Sequence, residues 1–476
     1  MELTQEYAMA LGAAFLVLLL VNFRRVVRSL LHSLQLLLSR VSYIRVLPRF
    51  THLGPWHLNT ALLFAIFLSA NVYLTLFDGF KTFPARAGAR AANLALINLV
   101  PAIAGPSQSF LASVFGLSLK TFQKIHRSLA LVSFLLLSFH VGAALVDRPA
   151  FSLKVMRNIW ALALGILLYR NAVGLSRTTD EAAKVLEEAK NPKTADGYKG
   201  EATIVNLKDV LKKDNISLSH DVVRIDLELR RPVRVREGQY IGLWIPAVGK
   251  FSFLQIHPLM VASWSEEAGR RLRLFVEPRH GWTKKLLRYI KLNPEGAPCR
   301  ALFTGPFGVS VPTRNYGIVL LVASGFGIVA LMPYLKKLIH DYNACKSRTR
   351  RVHLLTWTDL TFVFQEMLND ALAEDTLGGG RILRISVYVE SRSEDKSPFS
   401  ERAVVLGGTP KLQEIFKSER AGDNIKRVQQ EVVKREDILV LVSGTKNLKD
   451  ELHKVTQGYM HDGVVLSELE YQPDCY

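Results

Sequence analysis

The segment IVLLVASGFGIVALMPYLKKL, residues 318–338, decides the fold of the second half of the chain. An apolar run ends at Ser324, and the turn Gly325-Phe326-Gly327 leads directly into a helical segment that opens at Ile328. Glycine at such a turn lets the backbone approach a pyrophosphate at the positive end of the helix. The pattern therefore predicts a dinucleotide site. Because it is not the complete G-x-G-x-x-G, a simple tight strand-to-helix turn remains the alternative.

Three further apolar runs of the same type follow, and helical segments separate them: RVHLLTW, RILRISVYV and DILVLVSG. Strands that alternate with helices are typical of a parallel sheet built from βαβ units. The last run places Ser443-Gly444 at the carboxyl edge of the sheet, where open α/β sheets bind ligands. We predict an α/β nucleotide-binding domain over residues 313–476.

Residues 201–312 follow a different pattern. DVVRIDLELRRPVRVREGQYIGLWIP (221–246) and RLRLFVEP (271–278) alternate apolar and polar residues, with breaks at Pro232 and Gly238. Short strands at this spacing predict a small antiparallel β-barrel. Before them, residues 175–200 combine mixed charge with Pro and Gly, which predicts a linker.

Three motifs stand on the predicted barrel. His257-Pro258 leads a strand into an apolar run, although it could be only a bent barrel strand. Gly281 and Thr283 precede a helix whose N-terminus could hold a phosphate, as many helices could. FTGPFGVS (303–310) lets a ligand approach the backbone closely or forms a tight turn.

The first third of the chain concentrates the apolar residues, and the mean hydropathy is +0.15. Five segments approach the roughly 20 residues that a membrane span needs, near 7–23, 58–78, 90–105, 126–146 and 157–169. Lys and Arg exceed Asp and Glu by 61 to 42, and many of them flank these segments, as on the cytoplasmic side of membrane proteins. We predict a transmembrane α-helical domain over residues 1–174, with the N-terminus outside and the following domains in the cytosol.

Composition also excludes some classes of protein. The net charge of +19 comes without a recognisable nucleic-acid-reading motif, so nucleic-acid binding is not expected. The three cysteines form no CxxC pair, which argues against a disulfide framework and against a thiolate metal site.

Two histidines, His126 and His140, lie on one predicted membrane helix. At about 100° per residue, fourteen positions return a side chain to within about 40° of its starting direction. The two histidines are then separated by about 21 Å along the helix axis. The pair therefore suits two sites stacked across a bilayer, because neutral imidazole is a good axial ligand for haem iron. Alternatively, His126 lies at the interface and His140 bonds a neighbouring helix.

The order of these motifs resembles one family. The two-histidine helix, G-Q-Y (238–240), H-P-L (257–259), the Gly-Phe-Gly turn and the terminal Ser-Gly strand are similar to ferric reductase-like transmembrane proteins, the fungal metalloreductase branch related to NADPH oxidases. LSELEYQPDCY (466–476) is also similar to the tails of fungal members.

The resemblance implies a membrane oxidoreductase that passes electrons from NADPH through FAD and b-type haem to chelated Fe(III) or Cu(II). It implies haem ligation by His126 and His140. It implies FAD contacts from His257, Pro258, Leu259, Met260, Val261, Ala262 and Ser263, with help at the phosphates from Arg279, Gly281 and Thr283. It implies NADPH contacts from Gly325, Phe326, Gly327, Ile328, Ser443 and Gly444. Arg348, Arg350 and Arg351 are candidates for the 2′-phosphate of NADPH.

The sequence departs from the family pattern at three places. Met260 replaces a residue that is commonly a hydroxyl, and Ser443 stands where many members have Cys. Each haem of the family also needs a histidine from a second helix, and the chain has none between His140 and His220. The second ligand helix is therefore missing, together with a hairpin of two spans.

Several functions remain open at this point. One is a transmembrane metalloreductase of the plasma membrane, which binds haem through substitute ligands or through an oligomer with full-length relatives. The others are a haemless, membrane-anchored flavin reductase with a cytosolic acceptor, a superoxide-forming oxidase, and an inactive truncated paralogue.

Overall fold

The computed structural model describes residues 45–47, 56–77, 85–103, 108–147, 199–207, 221–248, 257–279, 281–293, 299–357, 360–377, 382–389, 402–422, 437–459 and 462–471. The spans predicted at 7–23 and 157–169 lie outside the described residues, as does most of the predicted linker.

The described N-terminal part is mainly helical. Two short antiparallel strands, β1 (Arg45–Leu47) and β2 (Trp56–His57), precede the helices α1 (Leu58–Leu76), α2 (Ala85–Ile103), α3 (Gln108–Val114) and α4 (Leu119–Asp147). Three of the predicted spans thus coincide with α1, α2 and α4. By length and composition, one stretch among the described residues could cross a membrane, Leu119–Ala144 of α4.

Six antiparallel strands form the middle of the chain: β3 (Lys199–Asn206), β4 (Val223–Val233), β5 (Tyr240–Trp244), β6 (His257–Met260), β7 (Gly269–Val276) and β8 (Cys299–Phe307). Their order is β6-β5-β8-β3-β4-β7. A bridge between Val261 and Leu274 joins the two edges, so the sheet closes and the predicted antiparallel barrel is confirmed. Helix α5 (Gly281–Leu292) packs Trp282, Leu286 and Ile290 against the barrel core.

The barrel begins two residues earlier than the sequence predicted. Lys199 and Gly200, placed in the linker, pair with Leu302 and Ala301 of β8. Strand ladders are made by backbone groups, so the mixed composition of Lys-Gly-Glu does not prevent pairing. The predicted linker is therefore too long at its C-terminal end.

A six-stranded parallel sheet follows, formed by β9 (Ile318–Ser324), β10 (Arg351–Trp357), β11 (Leu383–Val389), β12 (Ala403–Gly407), β13 (Ile438–Ser443) and β14 (Val464–Leu469). The order is β12-β11-β10-β9-β13-β14, and every pairing is parallel. The helices are α6 (Ile328–Asn343), α7 (Thr361–Glu374), α8 (Leu412–Ala421) and α9 (Lys446–Gln457). The predicted parallel α/β domain is confirmed.

The strand order reverses at β9, because the chain moves to one side through β10 and to the other through β13. In open α/β sheets a ligand crevice lies at such a point, outside the carboxyl ends of the strands. The fold therefore places the Gly-Phe-Gly turn after β9 and Ser443-Gly444 after β13 side by side.

One polar contact is buried inside this domain. His353 of β10 bonds Glu419 of α8 through Nδ1 (2.7 Å) and Ser386 of β11 through Nε2 (2.8 Å), and all three residues are almost fully buried. The contact ties α8 to the sheet.

Candidate functional site

The glycines at the carboxyl edge of the parallel sheet divide into two kinds. A Cβ on Gly325, whose φ is +54°, would meet nothing within 4 Å. A Cβ on Gly327 would lie 2.1 Å from the carbonyl oxygen of Ser443, and one on Gly444 would lie 2.2 Å from Ser324 Oγ. Gly325 thus leaves space for a ligand, whereas Gly327 and Gly444 let the two strand ends pack together.

A hydroxyl pair that sequence reasoning missed fixes this junction. The backbone N–H of Thr445 donates to Ser324 Oγ (2.8 Å), and Ser324 Oγ donates to Thr445 Oγ1 (3.2 Å). Thr445 is also the N-cap of α9. The sequence contained a signal for this pair. Ser324 and Thr445 are hydroxyl residues, and each lies where an apolar strand run gives way to a helical segment.

Two buried hydroxyls lie in one row across the sheet. Ser443 and Thr356 both pair in register with Ala323, so the three side chains share a face. Both hydroxyl residues are fully buried, and within the described part of the chain neither side-chain oxygen has a hydrogen-bond partner. Since buried polar groups are nearly always bonded, this row fits the polar groups of a dinucleotide.

The arginines that were candidates to bind the 2′-phosphate of NADPH lie at the amino edge of the parallel sheet, opposite the glycine turn. Arg351 opens β10 and pairs with Ile318, whereas the glycine turn follows Ser324, which pairs with Trp357. Six residues of strand separate the two ends by about 20 Å. Arg348 and Arg350 precede Arg351, so this prediction is wrong for all three: they come before the strand instead of after it.

On the barrel, the predicted FAD residue His257 stacks on Trp282 with ring centroids 4.3 Å apart and an interplanar angle of 19°. His257 Nε2 and Trp282 Nε1 are buried, and neither has a hydrogen-bond partner among the described residues. Burial lowers the pKa of His257 to about 4, so its ring is neutral at neutral pH. These two nitrogens fit a ligand with polar groups, as FAD has.

Alternation along the strand divides the predicted FAD run. Leu259 and Val261 contribute to the barrel core, whereas Met260 and Ala262 belong to the apolar cluster shared with the parallel-sheet domain. Ser263 Oγ accepts a hydrogen bond from the backbone N–H of Arg273 (3.0 Å), which joins the barrel edges. The side chains of Leu259 and Val261 are therefore committed to packing, and only their backbone could contact FAD.

The start of α5 fits the phosphates of FAD. Gly281 has a φ of +57°, and a Cβ there would meet nothing within 4 Å. Thr283 Oγ1 accepts from the backbone N–H of Arg279 (3.0 Å), which fixes the turn before the helix. The Arg279 guanidinium contacts Glu277 (2.8 Å) and the hydroxyl of Tyr471. Backbone N–H groups at a helix N-terminus attract anions, and here they are next to an arginine.

Aromatic side chains connect the two halves of the site. Phe275 of β7 packs edge-on against Phe364 of α7 (5.0 Å), and Phe364 packs against Phe326 of the glycine turn (6.3 Å). Phe326 also contacts Tyr471 (5.9 Å), which bonds Arg279 and Glu277 on the barrel. The Gly-Phe-Gly turn and the candidate FAD residues of the barrel therefore adjoin each other.

The predicted haem ligands are both on α4. His126 is buried and His140 is half-buried. The sequences of α1, α2 and α3 contain no histidine. Helix α4 thus carries both candidate haem histidines, and the other described helices of the N-terminal part, α1 to α3, carry none.

An antiparallel barrel followed by a parallel sheet, with ligand-fitting atoms where they meet, defines a ferredoxin-reductase-like FAD/NAD-binding fold. Residues 207–311 match the FAD-binding domain family. The chain is 31% identical over 121 residues to ferric reductase transmembrane component 3 of Saccharomyces cerevisiae, covering 25% of this chain and 16% of that protein. It is 26% identical over 160 residues to mouse NADPH oxidase 1, covering 33% and 25% respectively.

Ferric/cupric reductase transmembrane component 2 of Saccharomyces cerevisiae is 28% identical over 122 residues, 25% of this chain and 17% of that protein. The chain thus matches a quarter or less of the length of these three relatives. Over these partial matches the chain is similar to ferric reductases and to an NADPH oxidase, and its residues 207–311 match an FAD-binding domain.

The pKa of His257 gives a pH prediction. It is depressed from 6.5 to about 4, so the folded protein resists protonation that the unfolded chain accepts. Stability from this group is complete above pH 6.5 and is lost as the pH falls towards 4, by about 3 kcal/mol. Urea unfolding at pH 7 and pH 4.5 measures the loss. His257→Phe keeps an aromatic ring on Trp282 and should reduce the loss of unfolding free energy between pH 7 and pH 4.5. An unchanged loss would show that His257 does not cause it.

Proposed function

We propose that the chain is a membrane-bound reductase that takes electrons from NADPH and delivers them across the membrane to chelated Fe(III) or Cu(II), with FAD and b-type haem as carriers. The observation that supports this most directly is the contact of Phe326 with Tyr471, which in turn bonds Arg279. It joins the dinucleotide turn to the barrel site.

Each site has residues suited to its cofactor. When bound, FAD would supply the conversion of a two-electron hydride from the nicotinamide into single electrons. His257, Trp282 and the start of α5 would hold FAD, and neutral His257 adds no positive charge beside it. Gly325, Ser443 and Gly444 would hold the dinucleotide, with the Ser443 hydroxyl as a hydrogen-bonding group. Met260, Phe275 and Phe364 belong to one apolar cluster and would exclude water from the space between the two bound cofactors.

The membrane part of the proposal rests on α4. His126 and His140 would each help to hold one haem, and the remaining protein ligands would come from residues outside the described ones or from a full-length relative in an oligomer. We place the protein in the plasma membrane, with the barrel and parallel sheet in the cytosol.

A haemless flavin reductase is the second candidate. It is favoured by the absence of any histidine between His140 and His220, where the second ligand helix of the family is expected. Such an enzyme would serve a cytosolic acceptor.

Membranes from cells that express this chain separate the two candidates. Reduced-minus-oxidised absorbance spectra, with dithionite and then NADPH, should show b-type haem bands under both reductants, and external Fe(III) chelate should be reduced. His126→Ala and His140→Ala should remove the bands and chelate reduction, while NADPH-dependent ferricyanide reduction at the cytosolic face continues. Flavin bleaching without haem bands in the unaltered chain would overturn transmembrane transfer and favour the haemless reductase.

A further inference from the structure

Helix α5 presents a strongly basic outer face. Its buried side packs Trp282, Leu286 and Ile290 on the barrel. The opposite side exposes Lys284, Lys285, Arg288, Lys291 and Leu292, and residues 281–292 contain no acidic residue. Lys291 Nζ also lies 3.9 Å from Asp221 Oδ2, and the Lys291 side chain stays more than half exposed. Leu292 is 75% exposed. A helix with one apolar face in the protein and cations with a terminal apolar residue outside is suited to an anionic surface.

A chain of contacts places the start of α5 close to the candidate membrane helix. Lys120, in the first turn of α4, pairs with Glu470. The next residue, Tyr471, bonds the guanidinium of Arg279, two positions before α5 begins. Further along α4, Lys124 and Arg127 give this end of the helix the positive charge expected at a cytosolic membrane surface.

We propose that the outer face of α5, formed by Lys284, Lys285, Arg288, Lys291 and Leu292, docks on anionic lipid headgroups of the cytosolic leaflet. The proposal rests on the membrane-spanning role of α4 in the proposed function. The cytosolic leaflet carries the negative charge that the four cations complement, and the attraction falls off within a Debye length, about 8 Å at physiological ionic strength. Docking would hold the FAD barrel at a fixed height above the membrane.

A second basic region of the barrel lies far from the start of α5. Arg231, Arg234 and Arg270 are exposed where β4 ends and β7 begins, because Val233 pairs with Gly269. Helix α5 follows the far end of β7, where Val276 pairs with Val223. The three arginines therefore lie at the opposite end of the barrel, and they provide a matched control with the same change of charge.

Lysine acetylation of the full chain, read by mass spectrometry, tests the proposal. The protein is placed in nanodiscs of phosphatidylcholine alone or of phosphatidylcholine with phosphatidylserine. Lys284, Lys285 and Lys291 should be acetylated several-fold more slowly in the anionic discs, and high salt should remove the difference. Lys446 and Lys454 of α9, also exposed, should react equally in both discs. Equal rates at the α5 lysines would overturn the proposal.

Two variants and one competitor complete the test. K284E/K285E/R288E should abolish the lipid-dependent protection of Lys291, whereas R231E/R234E/R270E should leave it intact; loss in both would overturn the proposal. Protection by soluble polyglutamate in neutral discs, equal to that by phosphatidylserine, would assign the surface to an acidic protein instead. NADPH-dependent ferricyanide reduction and FAD content in detergent test the proposed function separately, since neither requires anionic lipid.

Discussion

Gly327→Ala should destabilise the parallel-sheet domain and, under the proposed function, abolish NADPH-dependent flavin reduction. The added Cβ would lie 2.1 Å from the carbonyl oxygen and 2.4 Å from the carbonyl carbon of Ser443, so the ends of β9 and β13 must separate. Overpacking of this kind, against backbone, costs about 3 kcal/mol. We expect the melting midpoint of the purified chain to fall by about 10 °C.

Gly325→Ala is the matched control, because it lies in the same turn two residues earlier. Its Cβ would meet nothing within 4 Å, although the φ of +54° costs about 1 kcal/mol for a residue other than glycine. We expect this variant to keep its fold and to bind NADPH more weakly. A Gly327→Ala protein that melts within a degree or two of the unaltered chain would contradict the described packing.

Trp282→Ala should cause the second large loss, with release of FAD. The indole is almost fully buried, contributes to the barrel core and stacks on His257. Removing a buried tryptophan costs about 4 kcal/mol, since a cavity replaces it. Flavin content per protein, measured by absorbance after gel filtration, and urea unfolding at pH 7 should both show the effect.

Trp282→Phe distinguishes packing from hydrogen bonding. It keeps an aromatic ring against His257 but removes the buried Nε1–H. If that N–H serves FAD, the phenylalanine variant should fold nearly as stably as the unaltered chain and still bind FAD less tightly. If both variants retain full flavin, Trp282 has no role beyond the core.

Several features were predictable because they depend on local patterns. The apolar run that ends at Ser324 and the helix that starts at Ile328 set the parallel sheet, and the alternation around Ile225 set the barrel. Alternation also divides His257–Ser263, where successive side chains contribute to different cores, whereas the family resemblance implied FAD contacts from the whole run. A run read as one FAD contact surface is therefore split by the period of the strand.

Other features depend on contacts between residues far apart in sequence. The bond between Ser324 and Thr445 joins positions 121 residues apart, and the contact of Phe326 with Tyr471 forms only when β14 is in place. Arg351 opens the run RVHLLTW, so a parallel sheet places it at the amino edge, and the candidate role at the ligand edge overlooked this position. Topology, more than residue type, decides which edge a side chain reaches.

The buried contact of His353 with Glu419 and Ser386 bears on the uniqueness of the fold. A slip of α8 by one turn would separate the buried Glu419 carboxyl group from His353, and a buried polar group that loses a hydrogen-bond partner costs about 1–3 kcal/mol. An apolar α8 could slide along the sheet at much lower cost. The contacts of His353 therefore favour one position of α8 along the sheet over positions in which these hydrogen bonds are broken.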